Sequence, residues 1–327
     1  MRLTGVNEIS RPVREELEKL EEELERIFSS KIDLVADISR HLLAAKGKRI
    51  RPTLLLLSSK LGKPDTEQAV KVALAVELIH TATLLHDDSI DRNHMRRGLP
   101  TVNRIWDDQV SVIMGDYLFC SAFEILHQAG LFEIASVLSA GSRLVTTGEM
   151  YQMDLRGRYD ITEEQYLEMV RHKTAAFFAS ACEAGAIVGN LEGFLRRQLR
   201  DYGENLGIAF QIVDDVLDFI GDVDVMGKPV GNDLKDRRVT LPLLFALGRA
   251  TSREASHIRQ LIMDGSIDAS AWKTVLEFIK RHGGIEYALS SARGFAERAK
   301  ACLAGIDESP PKRALLAITE QVVARQQ

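Results

Sequence analysis

Apolar residues recur at helical spacing along almost the whole chain, and period-two alternation is rare. Arg14–Ile27 alternates charged and apolar positions in this way. Lys31–Ala45 and Arg51–Leu61 follow, with Pro52 placed for a first helical turn. Thr66–Asp91 reads as a long apolar helix just after Pro64. Thr101–Ala129 and Leu131–Leu155 come next, separated by Gly130. Thr162–Val188 opens on Thr162 with Glu164 close behind, an N-terminal signal, and Leu195–Ile220 is another long apolar segment. The pattern then stops. Gly221–Arg238 holds three Gly, one Pro and four Asp, and reads as an ordered functional loop. Thr240–Gln327 predicts shorter helices punctuated at Gly265, Gly283–Gly284 and Pro310–Pro311. With no repeat of solenoid period, the expected architecture is one all-α domain spanning residues 1–327, a bundle of ten or more helices around a core of long ones.

Composition narrows the picture. Apolar residues make up 45% and charged residues 27% of the 327, enough for a large core. A net charge of −5 argues against nucleic-acid binding through a basic field. Cys120, Cys182 and Cys302 are far apart and form no CxxC, which suits a reducing, cytoplasmic setting. No uninterrupted apolar run reaches the roughly 18 residues of a spanning helix, so no transmembrane segment is expected. The Glu-rich Met1–Arg26 reads as a solvent face, not a signal peptide.

Two aspartate triplets stand out: Asp87, Asp88 and Asp91, and Asp214, Asp215 and Asp218. Both fit DDxxD, and with 22 aspartates in the chain about 0.1 such match is expected by chance. Each follows a largely apolar stretch. In a helix, Asp87 and Asp91 share a face, as do Asp214 and Asp218, with Cβ atoms about 5–6 Å apart. Carboxylates there need neutralising, and hard oxygen ligands on two helices suit Mg²⁺ bridging to phosphates. The basic residues point to the same chemistry. Lys48, Arg49 and Arg51 crowd a helix start, a good anion site. Arg96 and Arg97 come soon after the first triplet and could fold back over it. Lys173 lies in a largely apolar helix and calls for an anionic partner, and Lys228, Lys235 and Arg238 decorate the Gly-rich loop.

These motifs resemble those of the trans-isoprenyl diphosphate synthases, or polyprenyl synthetases. GKRIRP, ELIHTATLLHDDSID, RRGLPTVN, GDYLF, KTAAFF, FQIVDDVLD, GKPVGNDL and TLPLL occur in that family's order between Gly47 and Pro242. The resemblance implies an isoprenoid synthase-like bundle with a central cavity, working as a homodimer. It implies head-to-tail addition of isopentenyl diphosphate to an allylic diphosphate such as farnesyl or geranylgeranyl diphosphate. The six aspartates would hold three Mg²⁺. Arg96, Lys173, Lys228 and Arg238, with Thr174 and Gln211, would serve the allylic diphosphate and the reacting carbons. Lys48, Arg51, His80 and Arg97 would bind isopentenyl diphosphate. Lys46 stands where the family often has Gly, and Arg238 where it often has Lys, which keeps the charge but not the geometry.

Product length follows from the helix ahead of Asp87. Thr83 and Ala82 lie four and five residues before it, roughly 6–7.5 Å below the metal site. Both are small, so a tunnel would continue past Ile79, Val76 and Ala75, as in long-chain synthases that make quinone side chains; octaprenyl is the expected length. Phe119 or Phe123 could form the floor. A long apolar product suggests peripheral contact with a membrane for release. Other readings are a farnesyl or geranylgeranyl synthase, a class I terpene cyclase, and a non-catalytic subunit of a heteromeric synthase. A di-iron bundle built on Glu77–His80 and Glu254–His257 would leave both aspartate motifs unexplained.

Overall fold

In the computed structural model, which describes residues 9–45, 47–220, 231–263 and 267–324, the chain is all-α apart from one short strand pair. A single 3₁₀ turn, Arg11–Val13, leads into α1 (Arg14–Ile27), followed by α2 (Asp33–Ala44), α3 (Ile50–Ser59) and α4 (Thr66–Ile90). Strands β1 (Met95–Arg96) and β2 (Leu99–Pro100) pair antiparallel. Then come α5 (Val102–Ile105), α6 (Asp108–Gln128), α7 (Phe132–Leu155), α8 (Glu163–Val170), a π-helical turn (Arg171–Ala175), α9 (Ala176–Val188) and α10 (Gly193–Ile220). The remainder is α11 (Asn232–Lys235), α12 (Leu241–Arg249), α13 (Ser252–Met263), α14 (Ala269–Arg281), α15 (Gly284–Cys302) and α16 (Pro310–Ala324).

Two expected helices are interrupted. Thr101–Ala129 breaks at Trp106–Asp107, because Asp107 turns extended and its side chain accepts from Val110 N at 2.7 Å, capping a new helix. Thr162–Val188 is broken by the π turn. Its start is a capping box in which Thr162 pairs with Gln165 rather than with Glu164.

The residues gather into two compact units. The first comprises Met1–Ala140, Ser180–Arg200 and Gly305–Ala317. Its centre is α4, which is apolar around its circumference and packs against α6, α3 and α1. On α3, Leu54, Leu55, Leu56 and Leu57 are all buried, each worth about 1.5–3 kcal/mol on transfer from water. Within this unit Gly185 lets α9 press on α3: a Cβ there would sit 2.3 Å from Leu55 O. His86 packs against Gly115 of α6 and bonds Val112 O at 3.2 Å, so it turns to the neighbouring helix. The Glu-rich start is only partly a solvent face. Glu16 is buried and pairs with Lys60 Nζ at 2.7 Å. Cys182 is buried as core packing, whereas Cys120 is exposed on α6.

The second unit comprises Gly141–Ala179, Asp201–Ala304 and Ile318–Gln327. In it α12 packs on α15 and α14, and Phe245 stacks on Tyr287 at 3.9 Å. Among the described residues, two helices of the first unit reach the length and mean hydropathy of a membrane-crossing segment, α4 at 1.4 and α6 at 1.3, although neither is an uninterrupted apolar run. In α4, 67% of that stretch is buried inside the fold, as in a core helix.

Within the second unit, Gly203 meets the backbone of α9: a Cβ would lie 2.6 Å from Phe178 O and 2.8 Å from Ala179 Cα. Gly203→Ala is expected to cost about 1–3 kcal/mol in chemical denaturation. Gly294→Ala, on an open face of α15, is expected to stabilise by up to about 1 kcal/mol.

Candidate active site

The first aspartate triplet ends α4. Asp91 caps the helix, and its N–H donates to Asp87 O at 2.8 Å, so these two residues remain one turn apart on one face. Both are half-buried. Asp88 instead turns inward and is 4% exposed. Arg96 grips it in a fork, Nε to Oδ2 at 2.7 Å and Nη2 to Oδ1 at 2.8 Å. Asn93 Nδ2 adds a bond to Oδ1 at 3.3 Å. Arg96 is aimed by the β1–β2 hairpin, whose turn residues Arg97 and Gly98 have φ of 51° and 77°. Of the two arginines, Arg96 folds back on the triplet.

The same unit collects the basic cluster. Arg97 donates to Ala45 O at 3.0 Å, and its guanidinium occupies the space a Cβ at Gly47 would need, with Nη1 only 2.7 Å away. Arg51 Nη1 lies 3.0 Å from His80 Nε2. Since Arg always donates, His80 accepts there and is neutral on that nitrogen. Burial, and then the charges of Arg51, Arg97, Arg96 and Arg49, hold the His80 pKa well below its ordinary value. Burial pushes Arg51 down to about 10, which leaves it charged at neutral pH.

Arg49 is set apart from its neighbours. It sits at a left-handed φ of 49° before α3 and reaches Glu21 at 2.7 Å and the buried Glu77. Glu21 therefore has a structural partner. Glu77 is held by Arg49 and His80 by Arg51, so this ExxH is no ready metal pair. Lys48 is exposed. A cavity of about 60 Å³ is lined by Arg49, Glu77, Asp88, Arg96, Arg97 and others. Among the residues expected to set product length, Ile79 and Ala82 are fully buried on α4. Thr83 is half-buried and donates its hydroxyl back to His80 O at 2.8 Å. Phe119 and Phe123 pack on each other on α6, ring centroids 5.1 Å apart.

The second unit carries the other triplet near the end of α10. A cavity of about 40 Å³ brings together Lys173, Thr174, Gln211, Asp215, Asp233 and Arg238. Asp214 is half-buried. Asp215 is 6% exposed, accepting from Tyr166 Oη at 2.6 Å and Gln211 Nε2 at 2.7 Å. Thr174 Oγ1 donates to Gln211 Oε1 at 2.7 Å. This relay has one sense: Thr174 gives its hydrogen to Gln211, and Gln211 gives one to Asp215. Burial, and then the negative charge of Asp233, push the Asp215 pKa well above the usual range against those two donors. Asp218, at 2% exposure, accepts from Asp233 N at 3.0 Å.

Arg238 lies 3.3 Å from Asp233 and 3.5 Å from Asp236. Lys173 points inward as expected, but its partner is in the chain: it pairs with Glu149 and donates to Gln152 Oε1 at 2.6 Å. Lys228 lies outside the described residues. The sequence reading missed Asn93, Glu149, Gln152, Tyr166 and Asp233. Among the described residues, no three His, Cys, Asp or Glu side chains converge as a formed metal site.

Two aspartate-rich helix ends, each with its own set of cations, define an all-α protein suited to diphosphate chemistry. Residues 32–279 match the family model for polyprenyl synthetases. The chain is 38% identical to the short chain isoprenyl diphosphate synthase of Methanothermobacter thermautotrophicus, covering 92% of this chain and 95% of that one. It is 34% identical to the octaprenyl diphosphate synthase of Escherichia coli, covering 91% and 92%. A crystal structure of a polyprenyl synthase from Caulobacter crescentus, complexed with calcium and isoprenyl diphosphate, superimposes with a TM-score of 0.94 at 34% identity, covering 98% of both chains. The chain belongs to the polyprenyl synthetase family. It is a prenyl diphosphate synthase, a transferase of prenyl groups acting on isopentenyl and allylic diphosphates.

Because His80 is kept neutral in the fold, the unfolded chain takes up its proton first as pH falls through about 6.5. The unfolded state then binds more protons, so the stability is complete above that pH and declines below it, by up to about 1.4 kcal/mol per pH unit. Urea denaturation at pH 7 and 5.5 is expected to show this loss in the wild type. His80→Gln, which keeps an acceptor for Arg51, is expected to show a flatter profile.

Proposed function

We propose that this synthase makes a long-chain all-trans polyprenyl diphosphate, octaprenyl in length, for quinone side chains. The reading is carried by Ala82 and Thr83. Neither is bulky, Ala82 is fully buried, and Thr83 is tied back to its own helix. A growing chain passing below Asp87 would meet no aromatic wall at these two positions. A second reading, a farnesyl or geranylgeranyl synthase, draws on the 38% identity to a short-chain relative.

Asp87, Asp88, Asp91, Asp214, Asp215 and Asp218 are the carboxylates that would hold Mg²⁺, three ions on the family pattern. Mg²⁺ keeps several waters and needs only one or two carboxylates per ion, so pairs one helical turn apart fit it. Asp88 and Asp215 also accept from donors in the chain, which fixes their orientation. When bound, the metal supplies positive charge opposite the diphosphate oxygens. Lys173, Arg238 and Lys228, with Arg96 behind Asp88, bind the allylic diphosphate and stabilise the negative charge it gains as the allylic C–O bond breaks. Lys48, Arg51, His80 and Arg97 orient isopentenyl diphosphate so that its C=C attacks the allylic carbon. The departing diphosphate then takes the proton. Thr174 donates its hydrogen to Gln211, so its lone pairs can face the passing cation.

The exposed Val112, Ile113 and Tyr117 on α6 support a homodimer. Sedimentation equilibrium should give twice the mass of one chain for the wild type, and a monomer for Ile113→Glu. Three free cysteines fit a cytoplasmic setting, and a product this apolar would leave to a membrane surface.

Purified protein incubated with farnesyl diphosphate, labelled isopentenyl diphosphate and Mg²⁺ should give a ladder ending near forty carbons. Added liposomes should speed its turnover. Ala82→Phe should shift the end point to about twenty carbons or fewer. A wild-type product of fifteen or twenty carbons would establish the short-chain reading instead.

A further inference from the structure

We infer that Glu149 and Gln152 are positioning residues that fix the Lys173 ammonium on the cavity wall, and that the Glu149 charge tempers its hold on an anionic ligand. This rests on the reading that Lys173 grips the allylic diphosphate. Glu149 and Gln152 lie one turn apart on α7 and face the π turn that carries Lys173. The two segments touch without a side chain between them: at Gly148 a Cβ would sit 2.2 Å from Lys173 N and 2.5 Å from Lys173 Cα. The backbone of Lys173 is thus braced directly by α7.

Its side chain is held as closely. Nζ pairs with Glu149 Oε2 and donates to Gln152 Oε1 at 2.6 Å. The Glu149 and Lys173 side chains are only 12% and 18% exposed. An ammonium has three N–H groups and a flexible four-carbon stem. With two N–H groups engaged by one helix, a single N–H remains for the cavity that Lys173 shares with Thr174, Gln211 and Arg238.

The two partners differ in charge, and this separates their effects. Gln152 supplies direction only. Glu149 also supplies a negative charge next to Nζ, which any bound diphosphate must share. An elongating enzyme releases inorganic diphosphate at every cycle, so a cation with no counter-charge would hold that product too well. Direction and strength of grip are therefore set by separate side chains one helical turn apart.

The test measures competitive inhibition by inorganic diphosphate, and KM for each substrate, on the full-length enzyme at fixed Mg²⁺. Glu149→Gln should lower both the inhibition constant and the allylic KM by about fivefold to tenfold. Gln152→Glu should raise both by about tenfold, as expected for one unit charge a few ångströms from the ligand. KM for isopentenyl diphosphate should stay within about twofold. The double variant Glu149→Gln/Gln152→Glu, which moves the carboxylate by one turn, should return the inhibition constant to within about threefold of wild type. Thermal melts check that each variant folds. If both single variants shift affinity in one direction, or neither shifts it, a merely structural role is established and the inference fails. The double variant decides the matter should either single variant not fold. If Lys173→Gln leaves diphosphate inhibition unchanged, it is the underlying assignment of Lys173 that fails.

Discussion

A carboxylate on the inward face of an apolar helix cannot remain without donors, and much of this chain's polar architecture answers that constraint. Both aspartate triplets end long helices whose other residues are largely apolar. In each, the middle aspartate turns inward and is matched differently. Asp88 receives a bidentate guanidinium from Arg96. Asp215 receives two neutral donors, Tyr166 and Gln211. The difference matters electrostatically. Arg96 offsets the Asp88 charge in full, whereas Asp215 keeps a charge that burial and Asp233 oppose, so its carboxyl is pushed upward. A cation in the neighbourhood of Asp215 would relieve that cost, and this favours positive charge in the cavity that Asp215 shares with Lys173 and Arg238.

The cations obey the reciprocal rule. Most of the basic residues at the two motifs are already matched: Arg49 by Glu21 and Glu77, Lys173 by Glu149, Arg238 by Asp233 and Asp236. The pairing is nonetheless graded. Arg49 is engaged by two carboxylates, and burial of its charge is outweighed, so its pKa rises. For Arg51 burial wins, with Arg97 adding to it against the charges of Glu77 and Asp87, and its pKa falls. A cation whose burial outweighs the charges around it gains the most from an arriving anion. On the proposed reading, Arg51 and Arg97 are therefore better suited to meet a diphosphate than Arg49, although all three sit close together.

The helices were legible because periodicity at 3.6 residues reports burial directly, and α1 was recovered to the residue. The aspartate motifs were legible because they contradict the apolar pattern around them. Three features were not. The break before α6 depends on Asp107 adopting a capping conformation, which an adjacent Asp108 disguises. The π turn changes register by a single residue and leaves no compositional trace. Glu149 and Gln152 look like ordinary polar positions on a long helix, because their partner stands more than twenty residues further on, in a turn whose register the sequence does not disclose. Gly148 was the available clue: a glycine inside a helix, beside a polar pair at i and i+3, marks a close backbone approach.

The relatives divide over product length for a physical reason. Identity at the 34–38% level is shared by a short-chain and an octaprenyl synthase. The charged residues at the two motifs are tightly networked, and substituting Arg49, Arg96 or Lys173 leaves a buried carboxylate unmatched. A residue that limits a growing apolar chain needs only volume. Replacing a small side chain on α4 by a large one disturbs no hydrogen bond at Ala82, and only a bond to the helix's own backbone at Thr83. On the proposed reading, length changes through one or two side chains while the rest of the site stays constrained, so whole-chain similarity carries the reaction and local side-chain volume the product.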